Sequence, residues 1–146
     1  MATEKFAGPV DYAVFAVPQG RGLGDTLRTL HERIATGSIE LLDLEFVSRD
    51  NLYNPRRLTL NELDLGGFDA AVFEGAASNI LDEDDLAVAS EPLAGDQVAV
   101  VIVFEDRCLA SLADQVAAAG GQELFAGGIA IDDLEELLTK TEGEEQ

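Results

Sequence analysis

Two uninterrupted apolar runs constrain this chain more than anything else in it: Tyr12–Val17, six residues, and Val98–Phe104, seven. Runs of this length and composition are those of strands buried on both faces, since a strand with one wet face alternates apolar and polar side chains. In the first, Tyr12, Val14 and Ala16 oppose Ala13, Phe15 and Val17; in the second, Val98, Val100, Ile102 and Phe104 oppose Ala99, Val101 and Val103. Neither run approaches the roughly 20 apolar residues of a membrane-crossing helix.

The remaining elements are arranged around these runs. Pro18 and the glycines Gly20, Gly22 and Gly24 break the first strand. Leu23, Leu27, Leu30 and Ile34 then recur at the spacing of an amphipathic helix, which Gly37 ends. Ser38–Arg49 alternates Leu42, Leu44 and Phe46 with Asp43 and Glu45, which predicts a strand with one face in water. After a turn at Asp50–Pro55, the alternation in Arg57–Leu63 predicts its hairpin partner. No period dominates Asp64–Ile80. Asp82 is placed to cap a helix whose Leu81 and Leu86 form a hydrophobic staple, and Pro92 and Gly95 end it. The second apolar strand is followed by a helix with Leu109, Leu112, Ala113, Val116 and Gly120 along one face. Gln122–Ile131 can return as a strand bent at Gly127-Gly128, and Asp132 with Glu135 starts a last helix through Leu138.

The two halves therefore share a strand, helix, strand pattern. Two such βαβ units joined in one sheet predict an α+β ferredoxin-like two-layer sandwich with an inserted middle segment, both apolar strands central and both crossover helices on one face. A single domain over residues 1–141 and a frayed acidic tail over 142–146 are expected. In a two-layer sandwich the second face of the apolar strands needs cover, either from Asp64–Ile80 or from a second copy of the chain. The candidate sheet-face or interface residues are Tyr12, Val14, Val98, Val100, Ile102 and Phe104, and the expected assembly is a homodimer.

Charge excludes two classes of partner. With 9 Lys+Arg against 29 Asp+Glu the formal charge is -20, and residues 71–146 carry -16 of it. Nucleic acid and anionic membrane surfaces both select basic faces, so neither is an expected partner. The excess suits either solubility or attraction of a basic protein, and Asp82, Glu83, Asp84 and Asp85 form the densest candidate acidic surface. The N-terminus lacks the cationic start and apolar stretch of a signal peptide, and a single cysteine suits a reducing cytosol, so a cytoplasmic location is expected.

Residues able to carry chemistry are few. Gly20-Arg21-Gly22-Leu23-Gly24-Asp25 falls between strand and helix like a dinucleotide-binding loop, but its third glycine position holds Asp25. A flexible connection explains it. His31 is the sole histidine and reads as a helix-surface or boundary residue. Arg107 and a helix start would depress the thiol pKa of Cys108, Glu105 and Asp106 oppose that, and a buried or boundary thiol is expected. The Asp82–Asp85 cluster lacks the spacing of a calcium loop, and helix capping explains it. One His and one Cys cannot supply a zinc ligand set. No cofactor is expected, and no nucleophile, base and oxyanion donors converge.

Gly8-Pro9-Val10-Asp11-Tyr12, Gly37-Ser38-Ile39-Glu40-Leu41-Leu42-Asp43, Leu81-Asp82-Glu83-Asp84-Asp85-Leu86 and Ala118-Ala119-Gly120-Gly121 resemble a family of small actinobacterial proteins of unknown function. More distantly, the chain resembles bacterial domains described as membrane proteins, which carry a glycine-rich apolar hairpin between the two halves. Here Gly66–Ile80 is too short and interrupted to cross a membrane, so that label does not transfer. Those relatives often have an aromatic residue, commonly Trp, near the position of Cys108, and this chain has none there. The resemblance implies no catalytic residues. The expected function is non-catalytic: self-association and binding of a partner or small ligand at the sheet face. An acidic adaptor or polyanion mimic for a basic protein is the alternative, and an enzyme with an unrecognised site is a third.

Overall fold

A computed structural model describes residues 9–122 and 124. The chain forms β1 (Val10–Pro18), α1 (Leu23–Ala35), β2 (Ile39–Arg49), β3 (Pro55–Leu58), α2 (Glu83–Ser90), β4 (Gln97–Asp106) and α3 (Ala110–Ala118), with 3-10 turns at Leu60–Glu62 and Ala70–Phe73. The fold is α+β, and its four strands make one antiparallel sheet in the order β1-β4-β2-β3. β4 thus lies between β1 and β2, and α1 carries the chain from one side of β4 to the other.

The apolar run of β4 is interior, as its composition predicts: Val98 through Val103 are all buried. Among the described residues β1 is the margin of the sheet, and apart from half-buried Ala13 and buried Val17 its residues are exposed. The returning strand expected at 122–131 and the helix expected after Asp132 lie outside the described residues, apart from Gln122 and Leu124.

The pleat sorts the core into two layers. On one face Val98, Val100 and Ile102 of β4 meet Leu44 and Phe46 of β2 and the α1 stripe of Leu23, Leu27 and Leu30. On the other, Ala99 and Val101 meet Val47, Leu86 and Leu93, with Leu81 and Ala89 half-buried at the margin. Burying a Val or Leu side chain fully contributes about 1.5–3 kcal/mol, so both layers are substantial. The second face is covered over β4 by α2 with Leu93 and over the start of β2 by residues 76–79 of the Asp64–Ile80 segment, while Leu65, Phe68, Phe73 and Ala76 of that segment pack beside α1 on the first face.

β2 departs from its expected role as well. The alternation is present, but its acidic side chains do not meet water: Asp43 is 0% exposed and Glu45 2%. The backbone of residues 76–79 crosses them, with Leu44 N–H donating to the Ala76 carbonyl (3.1 Å) and Ser78 N–H to Asp43 Oδ1 (2.7 Å). A register shift between Leu41 and Asp43 marks the start of this strap. The hairpin to β3 is present, and Asp50 holds its turn by accepting from Leu52 and Asn54 N–H. Those donors keep the Asp50 carboxyl below its ordinary range. β3 is shorter than the alternation suggests because Thr59 and Glu62 form a capping box that turns the chain at Leu60.

Candidate functional site

A groove of about 660 Å³ lies between α1 and the β1 side of the sheet. Its floor is apolar, built from Phe15, Leu30, Ile39, Ile102 and Phe104, while Thr26, Thr29 and Arg33 of α1 form a polar rim. The local sequence explains this division. Leu27 and Leu30 point into the core, so Thr26, Thr29 and Arg33 fall on the flank of α1 facing β1. Phe15 pairs in register with Val100, yet 52% of its surface is exposed because the helix does not reach over it.

The six sheet residues singled out from sequence are not brought to one place. Val98 and Val100 are sealed under α1, and Ile102 and Phe104 line the groove. Tyr12 and Val14 pair with Val103 and Val101 on the opposite face, where Tyr12 is 72% exposed. Sequence reasoning missed Phe15, Leu30 and Arg33 as groove residues. The signal for Phe15 was present in the period-two alternation, which puts it on the same face as Val17; that α1 leaves it uncovered is a tertiary fact.

Asp82, Glu83, Asp84 and Asp85 are all exposed at the first turn of α2. Asp82 and Asp85 form a reciprocal capping box, each accepting from the other's backbone N–H, and Glu83 pairs with Arg57 at 3.3 Å. The cluster thus does structural work at the helix start, where negative charge is favoured. Among the described residues no group of three or more His, Cys, Asp or Glu side chains is arranged to hold a metal ion.

The glycine-rich loop borders a small cavity of about 150 Å³ lined by Arg21 and Arg28 as well as by Asp25 and Asp64, and Arg28 is paired with Asp25. Gly24 has a packing role: a β-carbon there would run into the backbone carbonyl of Leu65. His31 is exposed on α1 with its ring edge against Phe73, 6.2 Å between centroids. Cys108 is exposed, which corrects the expectation of a buried or boundary thiol. It sits before α3, and its thiol pKa is raised by a hydrogen bond to Asp106 and by that carboxylate's charge. The Cys108 backbone N–H in turn donates to Asp106, holding that carboxyl low. The arrangement disfavours a thiolate, the reverse of what a nucleophilic cysteine requires.

Among the described residues no helix is long and apolar enough to cross a membrane. No curated protein matches the chain, and no solved structure does. A family model described as a family of unknown function (DUF6325) matches residues 6–140, nearly the whole length, and the chain belongs to that family.

Proposed function

We propose that this protein acts by association and not by catalysis, with a second copy of the chain seated on the groove between α1 and β1. The observation that carries this reading is Phe15, a large apolar side chain left half in water on the floor of a 660 Å³ apolar groove. A small apolar ligand would fit a cavity of that size. Tyr12 and Val14 are exposed as well, on the opposite face of the same strand, and an apolar strand open on both faces favours a macromolecular surface over a small molecule. Closed twofold assemblies are the commonest way to cover such a patch. The fold we attach to this reading is the ferredoxin-like sandwich. What supports it is the position of β4 between β1 and β2 with α1 as the crossover; it further requires a strand on the free side of β1. A cytoplasmic setting and an actinobacterial kinship belong to the same proposal.

The test is light scattering on the wild type and on Phe15→Asp. The reading expects a dimer mass for the wild type and a monomer mass for the variant, with the far-ultraviolet dichroism of both unchanged. A wild type that stays monomeric as concentration is raised overturns it and leaves the groove to the chain's own residues.

A second reading, an acidic adaptor for a basic protein, is favoured by the exposure of Asp82–Asp85. It expects capture of a basic partner that fades as salt is raised.

A further inference from the structure

The strap over β2 encloses two carboxyl groups that the association reading does not use. Asp43 and Glu45 stand two apart on β2, so both point to the α2 face, and the register sets them beside Val103 and Val101 of β4. Each keeps one buried oxygen with no hydrogen-bond partner, Oδ2 of Asp43 and Oε1 of Glu45. Their remaining oxygens are engaged. Asp43 Oδ1 accepts from Ser78 N–H, and Glu45 Oε2 lies 3.4 Å from Arg57 Nε, close enough for attraction although not aligned as a hydrogen bond. Their spacing of two along β2 sets the two buried carboxyl groups side by side.

Two buried carboxylates in contact cannot both stay ionised without a large cost, whereas one proton between them satisfies both orphan oxygens. We propose that Asp43 and Glu45 bind a single shared proton, which keeps the buried pair from carrying two charges beneath residues 76–80.

The charged groups around the pair are few. Among the described residues Arg57 of β3 is the one cation in contact with it, and that guanidinium also reaches Asn79 Oδ1 (3.1 Å) in the strap and Glu83 of α2. Glu74 borders the same cleft of about 270 Å³ that Glu45 and Arg57 line, which opens a path for protons and water. From β4, Glu105 lies on the same face two residues beyond Val103, with Arg107 Nη1 at 3.6 Å from it. Tyr12 of β1 stands across Val103 on that face. The surroundings are thus more acidic than basic, which favours keeping the proton. In agreement, burial first and the Asp43 charge second raise the Glu45 carboxyl above its ordinary 4.5, against the opposing pull of Arg57 and of a backbone hydrogen bond from Asn79.

The sign of the pH effect follows. The unfolded Glu45 releases its proton near the ordinary value and the folded one only at higher pH. The stabilisation is therefore complete below the ordinary value and is lost as pH rises through the folded one. Replacing Glu45 by Gln mimics the protonated partner.

The test is the thermal midpoint as a function of pH for the wild type, Glu45→Gln and the exposed control Asp84→Asn. The wild type and the control are expected to lose stability as pH rises above the ordinary carboxyl range, and Glu45→Gln is expected to lose clearly less. A second measurement needs no variant: carbon-13 titration of the side-chain carboxyls of the wild type, with one of the pair titrating above the ordinary range. Equal pH slopes in all three proteins, or two ordinary carboxyl titrations, overturn the proposal. So does calorimetric binding of calcium or magnesium that Glu45→Gln abolishes, since a metal and not a proton would then fill the gap.

Discussion

Gly24 shows how much can rest on a missing atom. It is the second residue of α1, it is buried, and the Leu65 backbone occupies the space where any side chain would begin; the Leu65 carbonyl carbon would lie 3.0 Å from a β-carbon. Backbone cannot rotate aside as a side chain can, so Gly24→Ala must push residues 63–66 off the helix. The expected loss is about 1–3 kcal/mol, the usual range for overpacking. Gly67→Ala, where a β-carbon meets nothing, is expected to be neutral or slightly stabilising. Urea denaturation midpoints of the two variants check this, and equal midpoints would remove the packing role assigned to Gly24. The glycines themselves are plain in the sequence, and so is their place between a strand and a helix. What the sequence does not carry is which neighbour approaches, because Leu65 lies forty residues on in a segment without periodicity. Asp43 and Glu45 teach the same lesson. Their alternation with Leu42, Leu44 and Phe46 is legible, but the strap that takes them out of water is a long-range pairing with no local signature.

At the scale of elements, α2 was the most legible part of the chain and β3 among the least. α2 has eight residues, too few to be stable alone, since isolated helices below about 12–15 residues are marginal in water. It holds through its Asp82 cap and the burial of Leu86 against Val47 and Val101. All of that is written locally: a capping residue, acidic neighbours in the first turn and a staple at the right spacing. Asp82→Ala is expected to cost about 0.5–2 kcal/mol and Asp82→Asn much less, because asparagine caps equally well. Thermal midpoints of the pair check it; equal losses would mean that charge at the helix start matters more than the cap. In β3, Leu58 and Leu60 alternate as a strand would, but the Thr59 and Glu62 capping box turns the chain after Leu58. Both patterns, the alternation and the Thr59-to-Glu62 spacing of the box, are present in the same stretch of sequence. α3 is a third case: its apolar stripe is present, yet Leu109 and Leu112 are exposed while Ala113 and Val116 are half-buried. Hydrophobic spacing finds a helix without finding the surface it packs on.

For the molecule as a whole the governing quantity is a formal charge of -20, concentrated after residue 70. Two copies brought together by the groove must overcome mutual repulsion, and that repulsion is screened by salt, with a Debye length of about 10 Å at 0.1 M and about 3 Å at 1 M. The apolar contact itself loses nothing to screening. Self-association is therefore expected to strengthen as sodium chloride is raised, while attachment to a basic protein is expected to weaken, because there the long-range term is attractive. The same screening relieves repulsion within one chain, so the thermal midpoint should also rise with salt even for a monomeric Phe15→Asp. Sedimentation equilibrium across a salt series, with the variant as reference for the intramolecular part, separates the terms. A dimer population that falls with added salt would mean that charge pairing and not the apolar groove holds the copies together, and the site would then have to be sought among Arg28, Arg33 and the carboxylates facing them.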